Sequence, residues 1–148
     1  MNTDKKISRR EALKRMGFAV MSSAIASSGL LSLASCETKR SKRIIFYFTG
    51  TGNSLYIARQ LAGENAELLS IPQMVKRGKY EFEADEIGIV YPIYGHMPPY
   101  MVRQFIQKAK LKAEYKFAVL TYGARKCDAV EIWDRISRKA DNAFDYIN

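Results

Sequence analysis

Six consecutive residues, Thr49-Gly50-Thr51-Gly52-Asn53-Ser54, combine what a protein needs to hold a phosphate without a metal ion. Such a site requires several backbone N–H groups converging on one point, and the positive end of a helix supplies that arrangement. Gly50 and Gly52 permit backbone angles and a close approach that larger residues forbid, while Thr49, Thr51, Asn53 and Ser54 add hydroxyl and amide donors. No lysine lies in the segment, so it is not the triphosphate loop that ends in Gly-Lys-Ser/Thr. Gly50, Gly52 and then Leu55 also fail the Gly-x-Gly-x-x-Gly dinucleotide spacing. The plainer reading is a turn between a strand and a helix. The remaining reactive side chains are sparse. His96 is the only histidine and reads as a loop-surface residue, and Cys127 reads as a passive small hydrophobe. Cys36 and Cys127 are the only cysteines; with no CxxC pair or Cys/His cluster, neither a zinc or iron–sulfur site nor a disulfide framework is implied.

The elements around that segment must present it at a strand-to-helix junction. Arg43 to Phe48 is a continuous β-branched and aromatic run, as expected of a strand buried on both faces of a parallel sheet. Ser54 to Ala62 carries apolar residues at helical spacing and Gly63 is placed to stop it. Ala66 to Ile71 reads as a shorter strand, and Pro72 heads a brief helical turn. Glu86 to Tyr91 is another apolar strand, followed by a loop with Pro92, Gly95, Pro98 and Pro99 and then a helix over Tyr100 to Ile106. Lys116 to Thr121 is a further strand closed by Tyr122-Gly123; Asp128 is placed to cap a helix reaching Lys139, and Ala143 to Ile147 begins a fifth strand. Strands alternating with crossover helices imply an α/β doubly wound parallel sheet covered on both faces.

The chain has 148 residues, 47% of them hydrophobic and 26% charged, enough for one compact domain and an appendage. A formal charge of +9 would by itself suggest an anionic partner. Removing the six basic and two acidic residues of positions 1–35 from the totals of 24 and 15 leaves 18 and 13, or +5. Lys39, Arg40, Lys42 and Arg43 crowd four of those 18 into one short stretch, so a nucleic-acid partner is not expected. The leader itself reads as an address. Arg9-Arg10 precede a mildly apolar stretch from Met16 to Leu33 that is too weakly hydrophobic for a comfortable membrane span. The pair resembles a twin-arginine export signal, with Ala12 where the common pattern has Phe; a generic positive region of a Sec signal is the alternative. Leu33-Ala34-Ser35-Cys36 resembles a bacterial lipobox, whose cysteine sulfur receives a diacylglycerol. The expected organisation is therefore a signal over 1–36, a polar tether over 37–42 and a domain over 43–148.

Phe46-Tyr47-Phe48-Thr49-Gly50-Thr51-Gly52-Asn53-Ser54 resembles the FMN-phosphate loop of flavodoxins. It is most similar to the flavodoxin domain that certain anaerobe proteins fuse to a pair of four-iron ferredoxin clusters. The resemblance spans residues 43 to about 147 and implies the flavodoxin strand order 2-1-3-4-5. It implies that Thr49, Gly50, Thr51, Gly52, Asn53 and Ser54 hold the phosphate of FMN. Pro92, Ile93, Tyr94, Gly95, His96 and Met97, with Thr121, Tyr122, Gly123 and Ala124, would then flank the isoalloxazine ring. Unliganded loop aromatics are the plain reading of Tyr94 and Tyr122, and packing that of Met97. The clustered ferredoxin cysteines are missing, which implies electrons arriving from a separate redox protein. Flavodoxins also continue into the rest of the fifth strand and a last helix beside the Ser54–Ala62 helix. The expectation is therefore an open apolar sheet face and a domain that is marginal alone or forms a homodimer.

FMN performs the redox chemistry, so the protein's part is to hold and tune it. The leading expectation is an exported, lipid-anchored electron carrier facing the periplasm or the cell exterior, rather than a substrate-specific oxidoreductase. An FMN-dependent NAD(P)H reductase of quinones or small molecules is a second reading, although no nicotinamide fingerprint is present. A third is a flavodoxin-like module that binds protein and no flavin.

Overall fold

The computed structural model describes residues 42–148. The segment expected to be an export signal, with Cys36 as its expected lipid acceptor, and most of the expected tether lie outside the described residues. Five parallel strands form the main sheet: β1 (Arg43–Tyr47), β2 (Ala66–Ser70), β4 (Glu86–Pro92), β6 (Tyr115–Thr121) and β7 (Tyr146–Ile147). Their spatial order is β2-β1-β4-β6-β7, every neighbouring pair parallel. Counting main-sheet strands alone, this is the 2-1-3-4-5 order expected above. Four helices connect them: α1 (Asn53–Ala62), α2 (Ile71–Arg77), α3 (Tyr100–Lys108) and α4 (Ala129–Lys139). Among the described residues, no helix is long and apolar enough to cross a membrane.

Each central strand feeds two cores because successive side chains alternate between faces. Ile44, Phe46, Ile87, Ile89, Tyr91, Ala118 and Leu120 pack with Met74 of α2, Phe105 of α3 and Trp133 of α4 on one face. Ile45 and Val90 pack with Ala58 and Ala62 of α1 on the other, with Phe117 and Val119 partly buried beside them. Gly88 opens the second face for Phe117: a Cβ there would lie 2.5 Å from the Phe117 Cζ and 2.8 Å from the Ile45 Cδ1.

Two features were not legible in the sequence. β3 (Glu81–Glu83) and β5 (Lys110–Lys112) form a separate two-stranded parallel sheet, in which Phe82 and Leu111 turn inward while Glu81 and Lys110 pair outward at 2.7 Å. Runs this short and charged carry too little alternation to read as strands. Asn142, 1% exposed, joins two helix ends. Its amide donates to the Ala109 and Ala140 carbonyls at 2.8 and 2.9 Å and its oxygen accepts from Leu111 N–H at 3.2 Å. The expected role of Asp128 needs correction. It occupies the N-cap position of α4, but its carboxylate makes no cap bond and instead meets His96, 3.0 Å away.

Candidate functional site

In this strand order the direction of winding reverses beside β1, and loops leaving the carboxyl ends of β1 and β4 diverge to opposite faces. The crevice they leave is where ligands bind in open parallel sheets. A cleft of about 540 Å³ lies there, bounded by the loops after β1, β4 and β6.

The first loop begins where Phe48 N–H bonds the Val90 carbonyl at 2.9 Å, pinning it to β4. The Thr49 hydroxyl oxygen then accepts from Gly52 N–H at 2.9 Å, closing a tight turn. Gly52 stands at the N-cap of α1 with φ 97° and ψ −20°, a left-handed conformation that only glycine adopts cheaply. The first bond of the helix runs from Tyr56 N–H to the Gly52 carbonyl at 2.9 Å, so the amides of Asn53, Ser54 and Leu55 precede the ladder. No side chain caps them and no acidic residue occupies the first turn. Uncapped amides and an unopposed helix dipole favour an anion at this end.

The second loop is a short antiparallel turn. Tyr94 and Met97 exchange both backbone bonds, at 3.0 and 3.1 Å, around Gly95 (φ 54°) and His96 (φ 71°). Positive φ at both central residues is the signature of a two-residue hairpin turn, reached here by an unusual histidine. The turn lays Tyr94 against the first loop: a Cβ on Gly50 would lie 2.5 Å from the Tyr94 hydroxyl. The third loop carries Tyr122 and Gly123 and remains exposed through Asp128. His96 Nδ1 and Asp128 Oδ1 link the second and third loops at their outer rim, with both side chains about 60% exposed, so solvent screening leaves that link little energy.

Gly50, Thr51, Asn53, Ser54, Pro92, Ile93, Tyr94, Thr121, Tyr122 and Gly123 line the cleft. All three loops singled out from the sequence thus meet. Thr49 and Gly52 shape the first loop without lining it, and Gly95, His96, Met97 and Ala124 stand outside the lining. Met97 lines a different groove, with Arg103 of α3 and Ile136 of α4. Four lining residues were missed: Ile57, Val119, Leu120 and Asn148. Ile57 lies one helical turn after Asn53 and was accessible to the periodicity that gave the helix. Asn148 reaches the cleft only because β7 pairs with β6, its N–H bonding the Ala118 carbonyl at 3.0 Å.

Among the described residues, no acidic side chain lines the cleft, and Tyr94 and Tyr122, 53% and 46% exposed, stand on separate loops around it. The arrangement fits a planar ligand that carries a phosphate. Among the described residues, no group of three or more His, Cys, Asp or Glu side chains could hold a metal ion.

No protein-family model and no curated protein sequence matches the chain. Solved structures do. A flavoprotein of Lactobacillus acidophilus, determined in complex with FMN, matches with a TM-score of 0.53 at 13% identity, over 72% of this chain and 91% of that one. A Bacteroides eggerthii chain assigned as a flavoprotein matches with a TM-score of 0.56 at 18% identity, over 73% and 87%. The Megasphaera elsdenii flavodoxin matches with a TM-score of 0.48 at 17% identity, over 71% and 82%. The strand order, with the Lactobacillus acidophilus and Bacteroides eggerthii matches, makes the fold flavodoxin-like.

Proposed function

We propose that the domain binds FMN in the cleft at the carboxyl ends of β1, β4 and β6, and that it serves as an electron carrier. The observation that carries the reading is the uncapped N-terminus of α1, free of acidic residues, opening into a cleft lined by all three loops. Bound FMN would supply the electron-accepting and electron-donating chemistry. The chain's own residues do the rest. The amides of the first turn and the Thr51 and Asn53 side chains would bind the phosphate, Ile57 and Val119 would exclude water from the inner wall, and Tyr94 and Tyr122 would flank the ring. The lining side chains among the described residues are uncharged, so the donors they offer a phosphate are neutral ones.

Titration of the purified chain with FMN and with riboflavin, followed by quenching of flavin fluorescence, tests the assignment. FMN should bind at least tenfold more tightly, because each charge-assisted phosphate bond is worth ~1.5–3 kcal/mol. Equal affinities would refute the phosphate role of the first loop. Steady-state reduction by NADH or NADPH without a partner protein would replace the carrier reading with the reductase reading.

Export and lipid anchoring extend the proposal, supported by Arg9-Arg10 and by Leu33-Ala34-Ser35-Cys36. A twin-arginine route carries folded cargo and suits a protein that takes up FMN before crossing. Replacing both arginines by lysine should retain the precursor in the cell; normal export would favour the Sec route. Cys36→Ser should prevent incorporation of a labelled fatty acid. The reading places a redox protein as partner and no nucleic acid. Self-association is supported by Tyr115 and Tyr146, 42% and 50% exposed, which flank Phe117 on the sheet face that carries α1. A monomer by gel filtration at micromolar concentration would remove it.

A further inference from the structure

Two hydrogen bonds, both made by Thr121, link the three loops. The Ser54 and Thr121 hydroxyl oxygens lie 2.7 Å apart, linking the first turn of α1 to the end of β6 across 67 positions of sequence. Ser54 is 1% exposed, so this hydroxyl has exchanged water for Thr121. The Thr121 carbonyl meanwhile accepts from Ile93 N–H at 2.9 Å, at the root of the second loop. Thr121 therefore ties to the first loop through its side chain and to the second through its backbone, at the end of β6 from which the third loop leaves. Both Ser54 and Thr121 line the cleft.

We propose that Thr121 is a positioning residue that sets phosphate affinity from the end of β6, by holding the uncapped N-terminus of α1 in register with the rest of the cleft. The inference rests on the FMN reading. The amides that would meet the phosphate belong to Asn53, Ser54 and Leu55, and Ser54 is the point at which β6 restrains them. Without the tie, the hydrogen bonds that hold the first loop among the described residues are Thr49–Gly52 within it and Phe48–Val90 at its root, and neither reaches the first turn from β6. Misplacing a donor array lowers affinity for the anion more than for an uncharged ring, because the bonds it weakens are charge-assisted and roughly twice as strong as neutral ones, and the ring makes none of them.

The test compares Thr121→Val, Thr121→Ser and the double variant Ser54→Ala/Thr121→Val with the wild-type full chain. Affinities for FMN and riboflavin are measured alongside thermal melts. Valine keeps the shape and strand preference of threonine but leaves the buried Ser54 hydroxyl unpaired. The double variant replaces both partners with apolar groups and should recover most of the stability. The expected result is about a tenfold loss of FMN affinity in both valine variants, with riboflavin affinity within about threefold of wild type and serine restoring FMN binding. A merely structural role would instead lower both affinities in step with the melting temperature and be cured in the double variant. That pattern, or unchanged FMN affinity in Thr121→Val, overturns the proposal while leaving the cofactor reading intact. A wild-type chain that binds FMN no better than riboflavin overturns both.

Discussion

Gly50 and Gly52 lie two residues apart in one loop, and the structure gives them opposite reasons for being glycine. Gly52 has φ 97° with open space around its missing Cβ, so Gly52→Ala would meet no neighbour and still be strained. A left-handed conformation costs an L-residue ~1–2 kcal/mol, and φ 97° lies beyond the centre of that well. The lower entropy of the unfolded alanine chain returns roughly 0.4–1 kcal/mol, leaving a net loss of about 1 kcal/mol, or a fall in Tm of roughly 4 °C for a domain of this size. Asparagine tolerates the region better and should lose less. Gly50 lies outside the left-handed region, but its new Cβ would sit 2.5 Å from the hydroxyl of the half-exposed Tyr94. That ring can swing outward, so Gly50→Ala should change stability by less than ~0.5 kcal/mol and disturb the site instead. Urea denaturation of the wild type and the three variants gives stability, and FMN titration gives the effect on binding. Gly52→Ala should weaken both, since straining the cap moves the amides of the first turn. Gly50→Ala should weaken binding alone. An unchanged midpoint for Gly52→Ala, or a larger loss for Gly50→Ala than for Gly52→Ala, would refute the conformational argument.

Gly88→Ala forces a methyl to 2.5 Å from Phe117 and 2.8 Å from Ile45, and overpacking of that kind should cost ~1–3 kcal/mol in urea melts; a neutral result would mean that Phe117 is free to leave the α1 face. Asn142→Ala strips one buried N–H and three carbonyls of their partner and should cost about 3 kcal/mol or more, read from the same melts, whereas a loss below ~1 kcal/mol would show that water replaces the amide. Tyr91 is fully buried with no partner for its hydroxyl among the described residues, and burial holds its phenol well above the ordinary value of 10.0. A folded-state pKa raised in this way favours the native protein fully below pH 10 and loses that advantage as pH rises further. Tyr91→Phe should therefore be close to neutral at pH 7 and more resistant than wild type above pH 10, and identical Tm profiles for the two proteins between pH 7 and 11 would refute the assignment.

The sequence determined the parts of this protein that depend on short-range pattern. Continuous apolar runs such as Arg43–Phe48 and Glu86–Tyr91 are long enough to mark buried strands, and the glycine-rich segment between β1 and α1 can be recognised because its residue types serve a local backbone geometry. Their alternation with helical periodicity was enough to set a parallel, doubly wound sheet. Tertiary structure decided what no local window holds. Asp128 sits where a helix cap belongs, but a histidine 32 positions away takes its carboxylate. Ser54, read as a phosphate donor, spends a hydrogen bond on Thr121, and Met97, which could be read as ring contact or as packing, lines another groove beyond the turn at Gly95-His96. β3 and β5 are three residues each, and only their pairing with one another makes them strands. The physical reason is common to all of these: propensity and periodicity act through neighbours in sequence, whereas the direction of a polar side chain is set by whichever partner the packed sheet brings within hydrogen-bonding distance.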